Sequence, residues 1–184
     1  MQLRIIAGLL ACLAIAPVWA DGDGADKAVV PQPQVGEIPP DALGRDRQGK
    51  DITVSQYRGR VVIVTFWASW CGPCRKELPI LGKVQKIVGR EHLEVVAVNF
   101  KEDRDAFNAV VRANHDIALH YVPDPRGRIG DSYGVKTIPN MFIIDTEGRV
   151  AHVHRGYSED MLDGFVREML QLLPKEALER PVEG

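Results

Sequence analysis

The stretch that decides the fold is TFWASWCGPCRKELP, residues 65–79. It begins inside a continuous β-branched and aromatic run at 61–68, a pattern that predicts a strand buried on both faces. Its second half has a helical pattern. Gly72 permits the tight turn between the two, and Pro73 supplies a helical φ where a backbone N–H would go unused. We therefore expect the two cysteines of this stretch to lie where a buried strand ends and a helix begins.

The elements on either side of this stretch alternate. A turn signal at 48–50 predicts a hairpin at the domain edge. Further predicted elements, in chain order, are a helix over 72–89, a strand at 93–100, a helix from the cap Asp103 to 114, a strand at 117–124, a short helix at 129–133, two adjacent strands within 137–156 and an amphipathic helix over 158–173. This order implies an α/β fold with a mixed central sheet flanked by helices. Chemistry in such sheets lies at the carboxyl ends of strands.

The chain divides into four predicted parts. Residues 1–20 combine a positive start, a 12-residue apolar run and a small-residue end, the pattern of a signal peptide cleaved after Ala20. Residues 21–40, rich in Asp, Gly and Pro, predict a flexible linker. Residues 41–173 form the folded domain, and 174–184 form a loose tail. Because the apolar run is shorter than the roughly 20 residues of a membrane-spanning helix, an uncleaved anchor is only the alternative.

Charge and cysteine content narrow the possible partners. The chain has 23 basic and 25 acidic residues, and its basic residues are scattered along the sequence, so we expect no nucleic-acid binding. Of its three cysteines, signal cleavage removes Cys12. The remaining pair, Cys71 and Cys74, will tend to be oxidised in an oxidising compartment unless a reductant acts on it.

Two uses of a cysteine pair fit this sequence poorly. A zinc site needs about four ligands, and there is no second cysteine pair. His152 and His154 share one strand face, but no spacing rule links them to the cysteines, so we predict no metal site. A structural disulfide that closes so short a loop stabilises the fold by only about 2 kcal/mol in the chain-entropy account.

A redox pair fits the positions better. At a helix N-terminus, unpaired N–H groups and the macrodipole favour a thiolate on Cys71, and Arg75 and Lys76 add positive charge. A thiolate attacks a substrate disulfide to form a mixed disulfide, and Cys74, one turn away, can then displace the substrate. The pattern therefore predicts thiol–disulfide exchange.

The stretch FWASWCGPCRKELP resembles the active-site segment of thioredoxin-fold proteins, and most of all that of the TlpA/ResA-like family of exported thiol:disulfide oxidoreductases. The resemblance extends over residues 34–172 and includes the segment TIPNMFIID. It implies a thioredoxin-like fold with an N-terminal β-hairpin and a central strand and helix insertion. It also implies a periplasmic protein that needs no cofactor. A copper chaperone of similar fold usually has three residues between its cysteines rather than two.

The resemblance assigns roles to the motif itself. Cys71 is the expected exposed nucleophile and Cys74 the buried resolving thiol. Gly72 and Pro73 complete the active-site motif between them. A Gly-Pro dipeptide at this place resembles the reducing thioredoxins rather than their strongly oxidising relatives.

Three further residues are expected to contact substrate. Trp70 flanks the site. Pro139 falls where the fold has its cis-proline loop, which faces the disulfide, and Ile138 would offer its backbone to an extended substrate segment. The cis state rests on the resemblance alone, because an ordinary X-Pro bond is cis only about 5% of the time.

Glu77 has two open interpretations. It matches an acidic residue that the family places near the buried thiol, where a raised pKa lets it shuttle a proton from that cysteine. It could equally be a solvated helix glutamate. Thr65 stands where thioredoxins proper carry a buried Asp, so proton transfer by that route is in doubt.

The function implied by the resemblance is reduction of disulfides in other exported proteins, such as apocytochrome c during cytochrome c maturation. An exported reductant must be recharged, so a membrane thiol transporter is the expected electron donor. Membrane contact is expected only if the signal segment stays uncleaved. The alternatives are a non-catalytic metal-delivery or binding protein on the same fold, and a general disulfide oxidant.

Overall fold

The structure is a computed structural model that describes residues 30–156, 158 and 161–178. The predicted signal peptide and the linker residues 21–29 lie outside the described residues. The strands are β1 (Ala42–Arg45), β2 (Asp51–Thr53), β3 (Val61–Trp67), β4 (Leu93–Phe100), β5 (His120–Asp124), β6 (Asn140–Ile144) and β7 (Val150–Arg155). The helices are a 3₁₀ turn (Ser55–Tyr57), α1 (Gly72–Val88), α2 (Arg104–Ala113), α3 (Arg128–Ser132), α4 (Leu162–Leu172) and α5 (Lys175–Leu178).

The central sheet has five strands in the order β5-β4-β3-β6-β7. Strand β3 pairs parallel with β4, and β4 with β5, whereas β6 and β7 run antiparallel. The predicted mixed sheet is therefore confirmed. Every residue of β3 is buried, as its continuous run of β-branched and aromatic residues predicts, and every residue of β4 is buried as well, including the polar Glu94 and Asn99. The hairpin β1–β2 forms a separate two-stranded sheet, and α2, β5 and α3 lie between β4 and β6 in the chain.

The sheet separates two apolar cores because side chains alternate along each strand. Ile63 and Trp67 of β3 point into the core that contains α1, α2 and α4. Val62 and Phe66 point into the opposite core, against the hairpin and the segment around Tyr133. The helix that follows the active-site strand thus packs on one face of the sheet.

The described part of the predicted linker is tied to the sheet. The Gly36 N–H donates to the Val150 carbonyl at 2.7 Å, and the Val150 N–H donates to the Glu37 carbonyl at 2.9 Å. Pro33 and Pro39 are buried. The expectation of a flexible linker over 30–40 is wrong, because β7 is an edge strand and offers backbone groups that this segment pairs with.

The chain end also differs from the sequence prediction. Residues 175–178 form the short helix α5, and Ala177 is buried in the core that contains α1. The expected loose tail is therefore wrong for this part, since Ala177 and Leu173 gain apolar contacts there; residues 179–184 lie outside the described residues. Among the helices that the structure describes, none is long and apolar enough to cross a membrane.

Candidate active site

The cysteine pair lies at the N-terminus of α1, at the carboxyl end of β3. Cys71 is the N-cap residue, and its Sγ accepts a 3.3 Å hydrogen bond from the Cys74 N–H. The two sulfurs form a disulfide with an S–S distance of 2.03 Å. Gly72 and Pro73 occupy the first two helical positions. One N–H group of this first helical turn, that of Cys74, is therefore directed at the sulfur of Cys71.

The two cysteines differ in access to solvent. Cys71 is 5% exposed and Cys74 is 1% exposed. The expectation of an exposed Cys71 is therefore wrong for this disulfide form, in which both cysteines are buried and Cys71 keeps the larger exposed fraction. The Trp70 side chain is 69% exposed beside it. An aromatic side chain this open on a loop next to the disulfide is available for contact with a partner.

The loop before β6 meets the site from the next strand. The Ile138–Pro139 peptide bond is cis. Asn140, which follows it, pairs with Phe66 of β3, so Pro139 lies at the sheet end where the active-site loop begins. Pro139 is buried, and its carbonyl accepts a 2.8 Å hydrogen bond from the Gly156 N–H. Ile138 packs against both apolar cores.

Glu77 lies one turn beyond Cys74 on α1 and is buried. Its Oε1 accepts a 2.6 Å hydrogen bond from the Thr65 hydroxyl, and Thr65 lies on β3 directly beneath the helix. Burial raises the pKa of Glu77 from its ordinary value of 4.5 to about 7, and the hydrogen bond from Thr65 partly opposes this rise. The interpretation as a solvated helix glutamate is therefore wrong.

The comparisons with known proteins fit this geometry. The redoxin family matches residues 34–169. The chain is 28% identical over 167 residues to the thiol-disulfide oxidoreductase ResA of a Bacillus cereus strain, a match that covers 90% of this chain and 94% of the relative. It is 30% identical over 138 residues to ResA of Bacillus subtilis, covering 75% of each. The chain is a TlpA/ResA-like member of the redoxin family.

A solved structure supports the same assignment for this TlpA/ResA-like protein. A candidate thiol:disulfide interchange protein DsbE from Chlorobium tepidum superposes with a TM-score of 0.70 at 31% identity, over 77% of this chain and 99% of that structure. The fold is thioredoxin-like, with the mixed sheet, flanking helices and N-terminal hairpin that the sequence predicts. The protein is a thiol:disulfide oxidoreductase.

Sequence reasoning missed one residue near the dithiol, Glu102. Its carboxylate accepts a 2.8 Å hydrogen bond from the Ser69 N–H, a second from the Ser69 hydroxyl and a 2.7 Å hydrogen bond from the Asn99 amide. These contacts tie the loop before Cys71 to the end of β4. The signal that could have found it is topological, because neighbouring parallel strands end at the same edge of a sheet.

The two histidines of β7 lie away from the cysteines and meet α4 instead. The His154 Nε2 is 2.7 Å from the Glu168 carboxylate, and the His152 Nδ1 is 3.5 Å from the same oxygen. In the part of the chain that the structure describes, no three His, Cys, Asp or Glu side chains form a group that could hold a metal ion. His154 also lines a small apolar cavity of ≈ 20 Å³ together with Glu77 and Met161.

Proposed function

We propose that this protein is an exported reductase that cleaves disulfides in other exported proteins through a Cys71/Cys74 dithiol. The observation that carries the proposal is the placement of a cysteine pair at the α1 N-terminus with a buried carboxyl, Glu77, one turn behind Cys74. The first cysteine keeps a small exposed surface through which a partner would reach it, and the second is enclosed one helical turn from a carboxyl that would take its proton.

The reaction proceeds in two exchange steps. The Cys71 thiolate attacks one sulfur of the substrate disulfide, forms a mixed disulfide and releases the other substrate sulfur as a thiolate. Cys74 then loses its proton to Glu77 and attacks the Cys71 sulfur. The Cys71–Cys74 disulfide forms, the second substrate thiol leaves, and two electrons have passed from the dithiol to the substrate.

The surroundings of Cys71 support its role as nucleophile. Its Sγ already accepts a hydrogen bond from the Cys74 N–H, and the helix N-terminus favours negative charge at this position. The exposed side chains of Arg75 and Lys76 add positive charge within two turns of the helix start. A thiolate here is stabilised before any substrate arrives.

Substrate contact is proposed for the residues that surround the disulfide. An extended segment of the substrate would pair with the backbone of Ile138 next to Pro139, in the manner of strand addition. Trp70, which is exposed directly before Cys71 in the chain, would cover the same segment. Main-chain pairing of this kind places few demands on sequence, so selectivity requires further contacts.

The physiological setting is part of the proposal. The signal peptide at 1–20 directs the chain to the periplasm, where a membrane thiol transporter recharges the dithiol, and apocytochrome c before haem attachment is the proposed substrate. The Gly72-Pro73 dipeptide supports the reducing direction by its resemblance to reducing thioredoxins. Membrane contact follows only if the signal segment stays uncleaved.

The test is a trap. A Cys74→Ala variant cannot resolve the mixed disulfide, so partners should remain joined to Cys71, and a Cys71→Ala/Cys74→Ala variant is the matched control. We expect exported proteins with cysteine pairs to be recovered. An equilibrium reduction potential near that of periplasmic oxidases, about −120 mV, would instead identify a general oxidant. Tight stoichiometric copper binding without thiol turnover would identify a metal-delivery protein.

A further inference from the structure

Basic side chains lie on the solvent side of α1 in both its first half and its second half. Four of its exposed side chains are basic: Arg75, Lys76, Lys83 and Lys86. We call this set the cationic face. Lys76, Lys83 and Lys86 are spaced by seven and three residues, so they return to one side of the helix. Although the basic residues are scattered along the sequence, the fold gathers these four on one surface.

This surface differs in charge from the protein as a whole. The chain has a net charge of −2, whereas the only acidic residue within α1 is Glu77, which is buried on the core side. A groove of ≈ 450 Å³ runs beside the C-terminal half of α1, lined by Lys83 and Lys86 on one side and by Asp116 on the other. The face therefore keeps an excess of positive charge next to a net acidic body.

Helix stability does not account for this arrangement. The macrodipole favours acidic residues near the N-terminus and basic residues near the C-terminus. Lys86, in the last turn, has the favourable position, but Arg75 and Lys76 follow the helix start with no acidic residue in the first turn. Within α1 there is no exposed acidic residue to form stabilising i,i+4 pairs with the lysines.

Stabilisation of the Cys71 thiolate explains the position of only some of the basic side chains of the cationic face. At a rise of 1.5 Å per residue, Lys83 and Lys86 lie about 18 Å and about 22 Å along the helix axis from Cys71. Exposed charges separated by more than about 10 Å are largely screened at 0.1 M salt. These two lysines are too far from the Cys71 sulfur to stabilise its thiolate. They lie, however, on the same helix surface that begins at Cys71.

We propose that the cationic face is a docking surface for acidic polypeptide segments that flank the substrate disulfide. The inference rests on the proposed reductase function and names a class of substrate for it. A segment held at Cys71 and extended at about 3.3 Å per residue reaches Lys83 after five or six residues. Acidic side chains about five to seven positions from the substrate cysteine would then meet Lys83 and Lys86. Such docking accelerates encounter and leaves the exchange chemistry at the dithiol unchanged.

The first measurement compares two disulfide peptides of one framework, with three Glu or three Lys at positions five to seven from the reactive cysteine. With reduced protein at about 0.02 M salt, we expect the acidic peptide to be reduced about tenfold faster, and at about 1 M salt less than about twofold faster. A Lys83→Glu/Lys86→Glu variant should lose this preference. If that variant keeps the preference, the cationic face is not the docking surface.

The control variant changes the net charge equally at a distant place. Arg126 and Arg128 are exposed at the start of α3, and Ile129 of this helix packs in the core on the face of the sheet opposite α1. An Arg126→Glu/Arg128→Glu variant should keep the preference for the acidic peptide. An equal loss in both variants would show that net charge alone steers the peptide and would overturn the proposal.

A binding measurement separates this inference from the proposed function. The acidic peptide with Ser in place of Cys is labelled, and its fluorescence anisotropy is followed with oxidised protein. Binding that the Lys83→Glu/Lys86→Glu variant abolishes, found together with no reduction of either peptide, would reject the reductase and retain the docking surface. Binding of phosphatidylserine vesicles that depends on the two lysines, without peptide binding, would identify a lipid surface and overturn the inference.

Discussion

The Thr65 hydroxyl donates a 2.6 Å hydrogen bond to the Glu77 carboxylate in a place that solvent hardly reaches, since the two residues are 0% and 5% exposed. Burial raises the pKa of Glu77 to about 7, which the hydrogen bond partly opposes. A solvated carboxyl stays ionised at neutral pH, whereas one with this pKa can both accept and release a proton. In the proposed mechanism the pair therefore supplies a neutral-pH proton acceptor one helical turn from Cys74.

Replacement of Glu77 by Gln should slow resolution of the mixed disulfide above pH 7. The wild-type carboxyl is ionised there and accepts the Cys74 proton, whereas the amide cannot, so we expect a loss of about tenfold or more in rate. Below pH 7 the wild-type group is protonated, and the difference should shrink. Rapid-quench measurement of mixed-disulfide decay as a function of pH gives both profiles, and coincident profiles would remove Glu77 from the mechanism.

Thr65 provides the matched controls. Thr65→Val keeps the shape of the side chain but removes the donor that lowers the pKa of Glu77, so the midpoint of the rate profile should move to higher pH. Thr65→Ser keeps a hydroxyl and should leave the midpoint nearly in place. A shift of the same size in both variants would point to packing rather than to the hydrogen bond.

Glu77 should also make the fold less stable as pH rises. Its carboxyl binds its proton more tightly in the folded state, where its pKa is about 7, than in the unfolded chain, where it is near 4.5. The contribution of the protonated Glu77 carboxyl to the free energy of unfolding is therefore fully present below pH 4.5. It is lost as the pH rises through 7, and the loss amounts to about 3 kcal/mol. Urea unfolding of the oxidised protein on either side of this window should show the loss, and Glu77→Gln should remove most of it. A wild-type protein with no such loss would contradict the raised pKa.

Removal of the Glu102 carboxylate should loosen the loop that leads to Cys71. In a Glu102→Ala variant the Ser69 N–H and the Asn99 amide lose a charged acceptor, which costs about 1–3 kcal/mol of unfolding free energy. In the same variant, hydrogen exchange of the Ser69 amide should become faster. Glu102→Gln, which keeps one acceptor oxygen, should recover part of both losses; unchanged Ser69 exchange would show that the loop does not depend on this contact.

Trp70→Ala should separate substrate contact from stability. Because the side chain is 69% exposed, its removal should change the unfolding free energy by less than about 0.5 kcal/mol. We expect slower reduction of protein disulfides and an unchanged rate with a small aromatic disulfide that needs only the thiolate. Equal slowing with both substrates would show that Trp70 acts on the dithiol itself.

Local patterns predicted most of the central fold. Strand β4 has the predicted bounds 93–100, and α1 ends within one residue of its predicted end, because a buried apolar run and a Gly-ended helix are both set by nearby residues. Local patterns could not predict the short helix over 175–178 or the hydrogen bonds that attach the segment 30–40 to β7. Both depend on surfaces that distant parts of the chain create, the α1-side core and the edge of β7.

The spacing along α1 could have decided two features: the burial of Glu77, for which two interpretations stayed open, and the cationic face, which was not predicted. Glu77 shares the side of Cys74 and Leu81, at intervals of three and four residues, so the helical period already places it on the buried face. The cationic face follows from the same period on the opposite side. What the period could not supply is the partner of Glu77, because Thr65 meets it only after β3 and α1 have packed together.

The hydrogen bonds between residues 36–37 and Val150 also bear on self-association. An open strand edge is a template for pairing with another chain, and natural proteins cover or interrupt such edges. Here the segment ahead of the hairpin occupies the first backbone groups of β7. A fragment that starts at residue 41 would keep the dithiol and the whole central sheet, yet it would uncover that edge and become prone to aggregation.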